Sequence, residues 1–176
     1  MTYVTEFAIE ETVIHVSNGA EEPRETSRLH TRYCDLGNAQ SDAELEQARF
    51  NAYAAKNGSQ ARVECKVVPV KLGFANNYLW TDVDPFEIVR VVSDKTIEVR
   101  KMKAERSDDW KPEMVSGGFA FHCTNNADQR KAWVVTSDAD AETIRIRKQK
   151  DGSWKNPSFG RFQLAEQPVK KYDFNF

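Results

Sequence analysis

The side chains in this 176-residue chain best suited to chemistry are cations gathered around an aromatic ring. Arg145, Arg147, Lys148, Lys150 and Lys155 surround Trp154, and Phe159, Arg161 and Phe162 follow closely. In TIRIRK, Ile144 and Ile146 alternate with Arg145 and Arg147. On a strand the two arginines therefore share a face, about 7 Å apart. Guanidinium groups at that spacing suit successive phosphates, and an indole beside them can stack on a base. Arg100, Lys101 and Lys103 extend the same surface if the hairpin that carries them lies alongside. The plainer alternative is a charged, solvated strand face that keeps a sheet edge from aggregating, with Trp154 in the core.

Other reactive side chains are arranged less favourably. His30 and Cys34 are four apart and His122 is adjacent to Cys123, so the four together supply the ligand types of a zinc site. Adjacent strand residues point to opposite faces, however. No metal is assigned, and Cys65 and Cys123 read as small core residues. Nucleophile elbows, phosphate loops, dinucleotide fingerprints and zinc-protease motifs are absent, so neither catalytic residues nor a cofactor are expected. Asp82 and Asp84, and Asp138, Asp140 and Glu142, are spaced at two but lack the glycine and terminal glutamate of a calcium loop. They read as solvated turns and strand entries. Trp80, Trp110 and Trp133 would line a ligand pocket if a deep cavity exists, although a tryptophan in a β core looks the same in sequence.

The elements that must position these groups are mostly strands. Residues 3–16 alternate with period two and predict one long strand or a short hairpin. SNGAEEPRETS (17–27) is polar, contains Gly and Pro, and reads as a loop. Ser41-Asp42-Ala43-Glu44 has the form of a capping box, which predicts a helix over 42–56. Leu45, Ala48, Ala52 and Ala55 form its packed stripe, and Asn57-Gly58 stops it. Beyond it, ARVECKV alternates up to Pro69, which confines that strand to an edge or ends it. PFEIVRVVSDKTIEVRKM predicts a hairpin turning at Ser93-Asp94-Lys95. Short strands follow at 117–123, 131–137 and 142–148, and Asp151-Gly152 is a strong hairpin turn into Ser153-Trp154-Lys155. The ending Tyr172-Asp173-Phe174-Asn175-Phe176 alternates aromatic and polar, which predicts a docked tail.

Together these predict a mainly β (α+β) protein, an antiparallel sandwich or small SH3-like barrel with one packed helix. Residues 1–75 form an acidic N-terminal region and 76–176 a β-rich one, or the two make one continuous domain. Lys and Arg number 25 against 27 Asp and Glu, a net charge of −2. That excludes an acidic DNA mimic and a histone-like cation, and weighs against tight nonspecific DNA binding. Residues 1–60 hold 5 basic and 10 acidic side chains, so the remainder is nearly balanced. The first residues do not read as a secretory signal, and no apolar run approaches the ~20 residues of a membrane span. Three cysteines without a CxxC suggest reduced thiols in a cytoplasm. Oligomeric state is not legible in the sequence.

TDVDPFEIVRVVSDKTIEVRKMKAER, TIRIRKQKDGSW and the ending KKYDFNF resemble a recurring pattern in small uncharacterised proteins of bacteriophages, prophages and mobile elements. The resemblance covers residues 78–176 and consists mostly of strand and turn chemistry. It carries no catalytic residues. It implies an accessory protein in the cytoplasm of a bacterial host, binding a host macromolecule, a defence or regulatory protein foremost. Two other expectations stand beside it: a nucleic-acid-binding module built on the basic-aromatic hairpin, and a small-ligand site or enzyme around the tryptophans.

Overall fold

The alternating N-terminal run folds as one long strand, β1 (Val4–Ser17), in a computed structural model that describes residues 2–17, 20–29, 31–117 and 120–175. Contacts divide the chain into two units, Thr5–Lys71 and Leu72–Phe176, the latter including Met1–Val4. In the first unit β1 lies between β2 (Ala20–Arg28) and β3 (Arg62–Leu72). The segment expected as a loop is thus largely strand. Its polar residues are spent on cross-strand pairs: Thr12 and Thr26 hydroxyls lie 3.1 Å apart, and Arg28 donates to Glu10 at 3.0 Å. Pro23 sits opposite Ile14 at a register shift on an edge strand, where a missing N–H costs the ladder nothing. Pro69 is accommodated in the same way, because β3 is the other edge.

Helix α1 (Leu36–Lys56) starts six residues before the expected position. The Asp35 carboxylate accepts from the Asn38 amide at 2.9 Å and caps it, while Ser41 lies within the helix. The stop is where Asn57-Gly58 places it. Gly58 has φ +66°, and Ser59 and Gly58 donate to the carbonyls of Ala54 and Ala55. The packed face differs from the expected stripe: Leu45, Ala48, Ala52 and Ala55 are exposed, and Ala39 and Ala43 are buried. Alanine carries too little apolar area to choose a face. Side-chain amides choose it instead. Gln47 accepts from the Cys65 amide at 2.9 Å, and Asn51 accepts from the Val63 amide at 2.9 Å while donating to its carbonyl. One turn apart on the helix, they satisfy backbone groups that the edge strand β3 would otherwise leave bare.

In the second unit the chain continues as β4 (Phe74–Tyr78), β5 (Val83–Asp84), β6 (Phe86–Ser93), β7 (Thr96–Lys101), β8 (Lys103–Arg106), β9 (Met114–Gly117), β10 (Ala120–Cys123), β11 (Trp133–Thr136), β12 (Thr143–Lys148), β13 (Trp154–Asn156) and β14 (Gly160–Ala165). The order β14-β13-β12-β7-β6-β4 closes on itself through β14–β4 pairing, giving a six-stranded antiparallel barrel. Ala75, Phe86, Ile88, Ile97, Val99, Ile146, Trp154 and Phe162 fill it, none more than 4% exposed. Burying each of the larger ones stabilises by about 1.5–3 kcal/mol, and Phe86 meets Phe162 edge-on at 5.2 Å. Outside the barrel β8 pairs with β11, and β9 pairs with β10 between them in the chain. Of the strand expected at 117–123 the structure thus gives β10 (Ala120–Cys123), paired with β9. Gly118, Phe119 and Phe176 lie outside the described residues. The tail docks as its aromatics predict. Phe174 packs against Trp110 at 5.5 Å and meets Tyr172 in a T-shaped contact at 5.0 Å, and buried Gln129 donates to the Tyr172 carbonyl at 2.6 Å.

Replacing Asp35 with Ala should cost about 1 kcal/mol in urea denaturation, whereas Ser41→Ala should leave the midpoint unchanged. The reverse pattern would return the helix start to Ser41.

Candidate functional site

Because Ile146, Trp154 and Phe162 point into the barrel, the residues next to them point out. Register aligns those neighbours. Arg147 is directly opposite Lys155, Lys155 opposite Arg161, and Arg161 opposite Tyr78. Adjacent strands are ~4.8 Å apart, so three cations and a phenol cross four strands in a row about 15 Å long. All four side chains are exposed, and none of the three cations makes an ion pair among the described residues. Arg145, Arg147, Gln149, Lys155, Asn156 and Pro157 line an open depression of about 590 Å³ on this face.

The neighbouring rows are neutralised. Glu98 stands opposite Arg145 and is held by it at 2.9 Å and by Arg90 at 2.7 Å. Hydrogen bonds from Arg90, then Arg145, bring its carboxyl down to about 2. Arg100 is held by Glu87 at 2.8 Å and also donates to the Ala139 carbonyl. Lys101 and Lys170 both bind Asp84 at 2.7 Å. Burial pushes the Asp84 carboxyl up, but the two ammonium groups outweigh that and leave it below its usual value. Lys103 pairs with Glu105 at 3.1 Å.

The residues expected to act together therefore separate. Arg147 and Lys155 project unpaired, with Lys150 exposed in the β12–β13 hairpin. Arg145, Arg100, Lys101 and Lys103 are engaged by carboxylates. Trp154 is only 4% exposed and Lys148 lies 5.8 Å from its ring centroid, so its indole has no face to offer a base. Trp154 instead packs in the barrel core with Phe86 and Phe162.

Arg161 and Tyr78 join the row through register. The turn Asn156-Pro157-Ser158-Phe159-Gly160, with Gly160 at φ +76°, sets Lys155 against Arg161. Buried Asn77 fixes that turn, donating to the carbonyls of Phe159 at 2.7 Å and Arg161 at 2.9 Å. At the same end of the barrel the β4–β5 turn, closed by Leu79 N–H to the Asp82 carbonyl at 3.0 Å, carries Trp80 at 94% exposure. Tyr78 and Leu79, which precede it in the chain, and Phe159 are each 40–49% exposed.

Elsewhere, Cys34 is exposed, Cys123 is buried and bonded to Asn125, and His30 lies outside the described residues. Among the described residues no three His, Cys, Asp or Glu side chains gather as a metal site. Trp133 borders a depression of about 270 Å³ with Gln129 and Lys170, and Trp110 packs on the tail with its N–H on the Asp128 carbonyl. No helix of the described residues is long and apolar enough to cross a membrane. Compared with protein-family models, curated proteins and solved structures, the chain matches none.

Glu98 is held ionised by the fold, with its carboxyl below the unfolded value of 4.5. Its contribution to stability is present above pH 4.5 and is lost as pH falls towards 2. Urea midpoints should show Glu98→Gln less stable than the parent at pH 6, with the gap narrowing between pH 4.5 and 2.5. A gap independent of pH would mean that the two arginines do not hold the carboxylate.

Proposed function

We propose that the protein works by binding a nucleic acid, whose phosphate backbone lies along Arg147, Lys155 and Arg161. The observation that carries this reading is the contrast between that row and its surroundings. Arg90, Arg100, Lys101, Lys103 and Arg145 each hold a carboxylate. Three cations directly opposite one another hold none, although like charges so placed destabilise a sheet. An anion laid across them removes that cost and releases counterions. The barrel unit carries 17 Lys and Arg against 16 Asp and Glu, so attraction comes from local placement and is sensitive to salt.

The resemblance to phage and mobile-element proteins supports a second reading, a host protein as the partner. An acidic protein surface would present carboxylates to the same three cations, and the exposed Leu79 and Trp80 suit a protein contact, since aromatics and arginine are enriched at such interfaces. Nuclease treatment of captured material separates the two.

Fluorescence anisotropy with labelled oligonucleotides tests the row. Three phosphate contacts predict that affinity falls about 20- to 40-fold between 50 and 200 mM salt. The Arg147→Glu/Lys155→Glu/Arg161→Glu variant should lose binding, and Lys103→Ala, which touches a compensated cation, should keep it. Full affinity in the triple variant would sink the assignment.

A further inference from the structure

Resting on the phosphate-binding reading, we infer that the nucleic acid bound is single-stranded, with its bases stacking on Tyr78 and Trp80. The cation row does not end in solvent. Its fourth member is Tyr78, directly opposite Arg161, and two residues further the chain turns at Trp80. A tryptophan that is 94% exposed forgoes the burial that makes this side chain valuable in a fold. Among the described residues no ring contact or hydrogen bond engages its indole.

The turn beneath it is nevertheless well held. Leu79 N–H closes it on the Asp82 carbonyl at 3.0 Å, the Asp82 carboxylate accepts from the Asp173 amide at 2.9 Å, and the flanking Asn77 and Asp84 are paired. The indole is therefore presented from an anchored support. On the adjoining turn, Phe159 is partly exposed while its ring makes a T-shaped contact with Phe86 at 5.9 Å. Its position is set by the Asn156 carboxamide, which accepts from the Ser158 and Phe159 amides.

A cationic track leading to exposed aromatic faces is the arrangement that binds unpaired strands, because phosphates and base faces are then both available. In a duplex the bases are stacked inside, and only the phosphates would be reached. An acidic protein or peptide would satisfy the cations equally well but gives the rings no series of flat partners.

The experiment measures anisotropy of a fluorescent 15-mer of dT, a 15-mer of rU and a mixed-sequence 15-base-pair DNA duplex with the full chain, its Trp80→Ala and Tyr78→Ala variants, and Trp80→Phe. The expected result is tighter binding of a single strand than of the duplex. Each alanine variant should lose on the order of tenfold on the single strand and nothing on the duplex, and Trp80→Phe should keep most of the affinity. The dT and rU arms distinguish DNA from RNA. Trp80 and Tyr78 are exposed, so unchanged melting temperatures should accompany the loss. Equal binding of duplex and single strand, or alanine variants that bind as the parent does, would overturn the stacking inference and leave the phosphate row standing. A parent protein that binds none of the three probes would overturn the row as well.

Discussion

The antiparallel pairing of β14 with β4, from Arg161 opposite Tyr78 to Ala165 opposite Phe74, is the contact on which the second unit depends. It converts a curved sheet into a closed barrel and removes two edges that would otherwise expose unpaired backbone. Closure leaves room for one layer of large side chains, supplied by Phe86, Trp154 and Phe162 with the β-branched residues around them. It also decides the surface. Once those three rings point inward, Lys155 and Arg161 have no choice but to point outward, and β4 arrives beside β14 carrying Tyr78. The candidate site is thus the outer consequence of the inner packing, because the core side chains fix where the outward cations stand.

Electrostatics then divides that surface. On β6 and β7 acidic residues alternate with basic ones at positions the register brings face to face, so Glu98 serves two arginines and Glu87 a third. On β12, β13 and β14 the outward positions in the row are all basic. Exposed ion pairs contribute little each, so the compensated region is better understood as removing repulsion than as a store of stability. The row Arg147, Lys155 and Arg161 has no ion pair among the described residues, with Asp151 attracting Lys155 from beyond ion-pair distance. It therefore keeps repulsion that a bound polyanion would relieve. Overall net charge conceals this. A chain at −2 repels nucleic acid only weakly at distances beyond the ~8–10 Å screening length, while three unpaired cations act within it.

The strand pattern was legible because period-two alternation follows directly from burial on one face. β1, the β6–β7 hairpin, β12 and the Asp151-Gly152 turn fall where alternation and turn residues place them. What was not legible depended on partners distant in sequence. β2 has no apolar face of its own and becomes a strand only through Thr26, Arg28 and their neighbours pairing with β1. Helix α1 takes its orientation from Gln47 and Asn51 reaching β3, which no helical wheel of apolar residues contains. Trp154 looked like a ligand-facing ring because cations surround it in sequence. In the strands Arg145, Arg147 and Lys155 occupy the opposite face, and Lys148, opposite Trp154 in register, lies over its buried ring. Arg161 and Tyr78, separated by more than eighty residues, become neighbours only on closure.

Buried amides hold the ends of this arrangement. Asn77 clamps the turn that precedes Arg161, Asn76 binds the Gln167 carbonyl and the Val169 amide, and Gln129 binds Trp133 and Tyr172. Each is nearly excluded from solvent, and a buried amide left without partners costs more than its bonds return. Such groups therefore specify geometry more than they add stability: a turn displaced by one residue would strand Asn77 as well as move Arg161 out of line with Lys155. The same device that makes the fold unique also fixes the spacing of the cations, so a shallow surface on a nearly neutral protein is presented with the rigidity that a binding site requires.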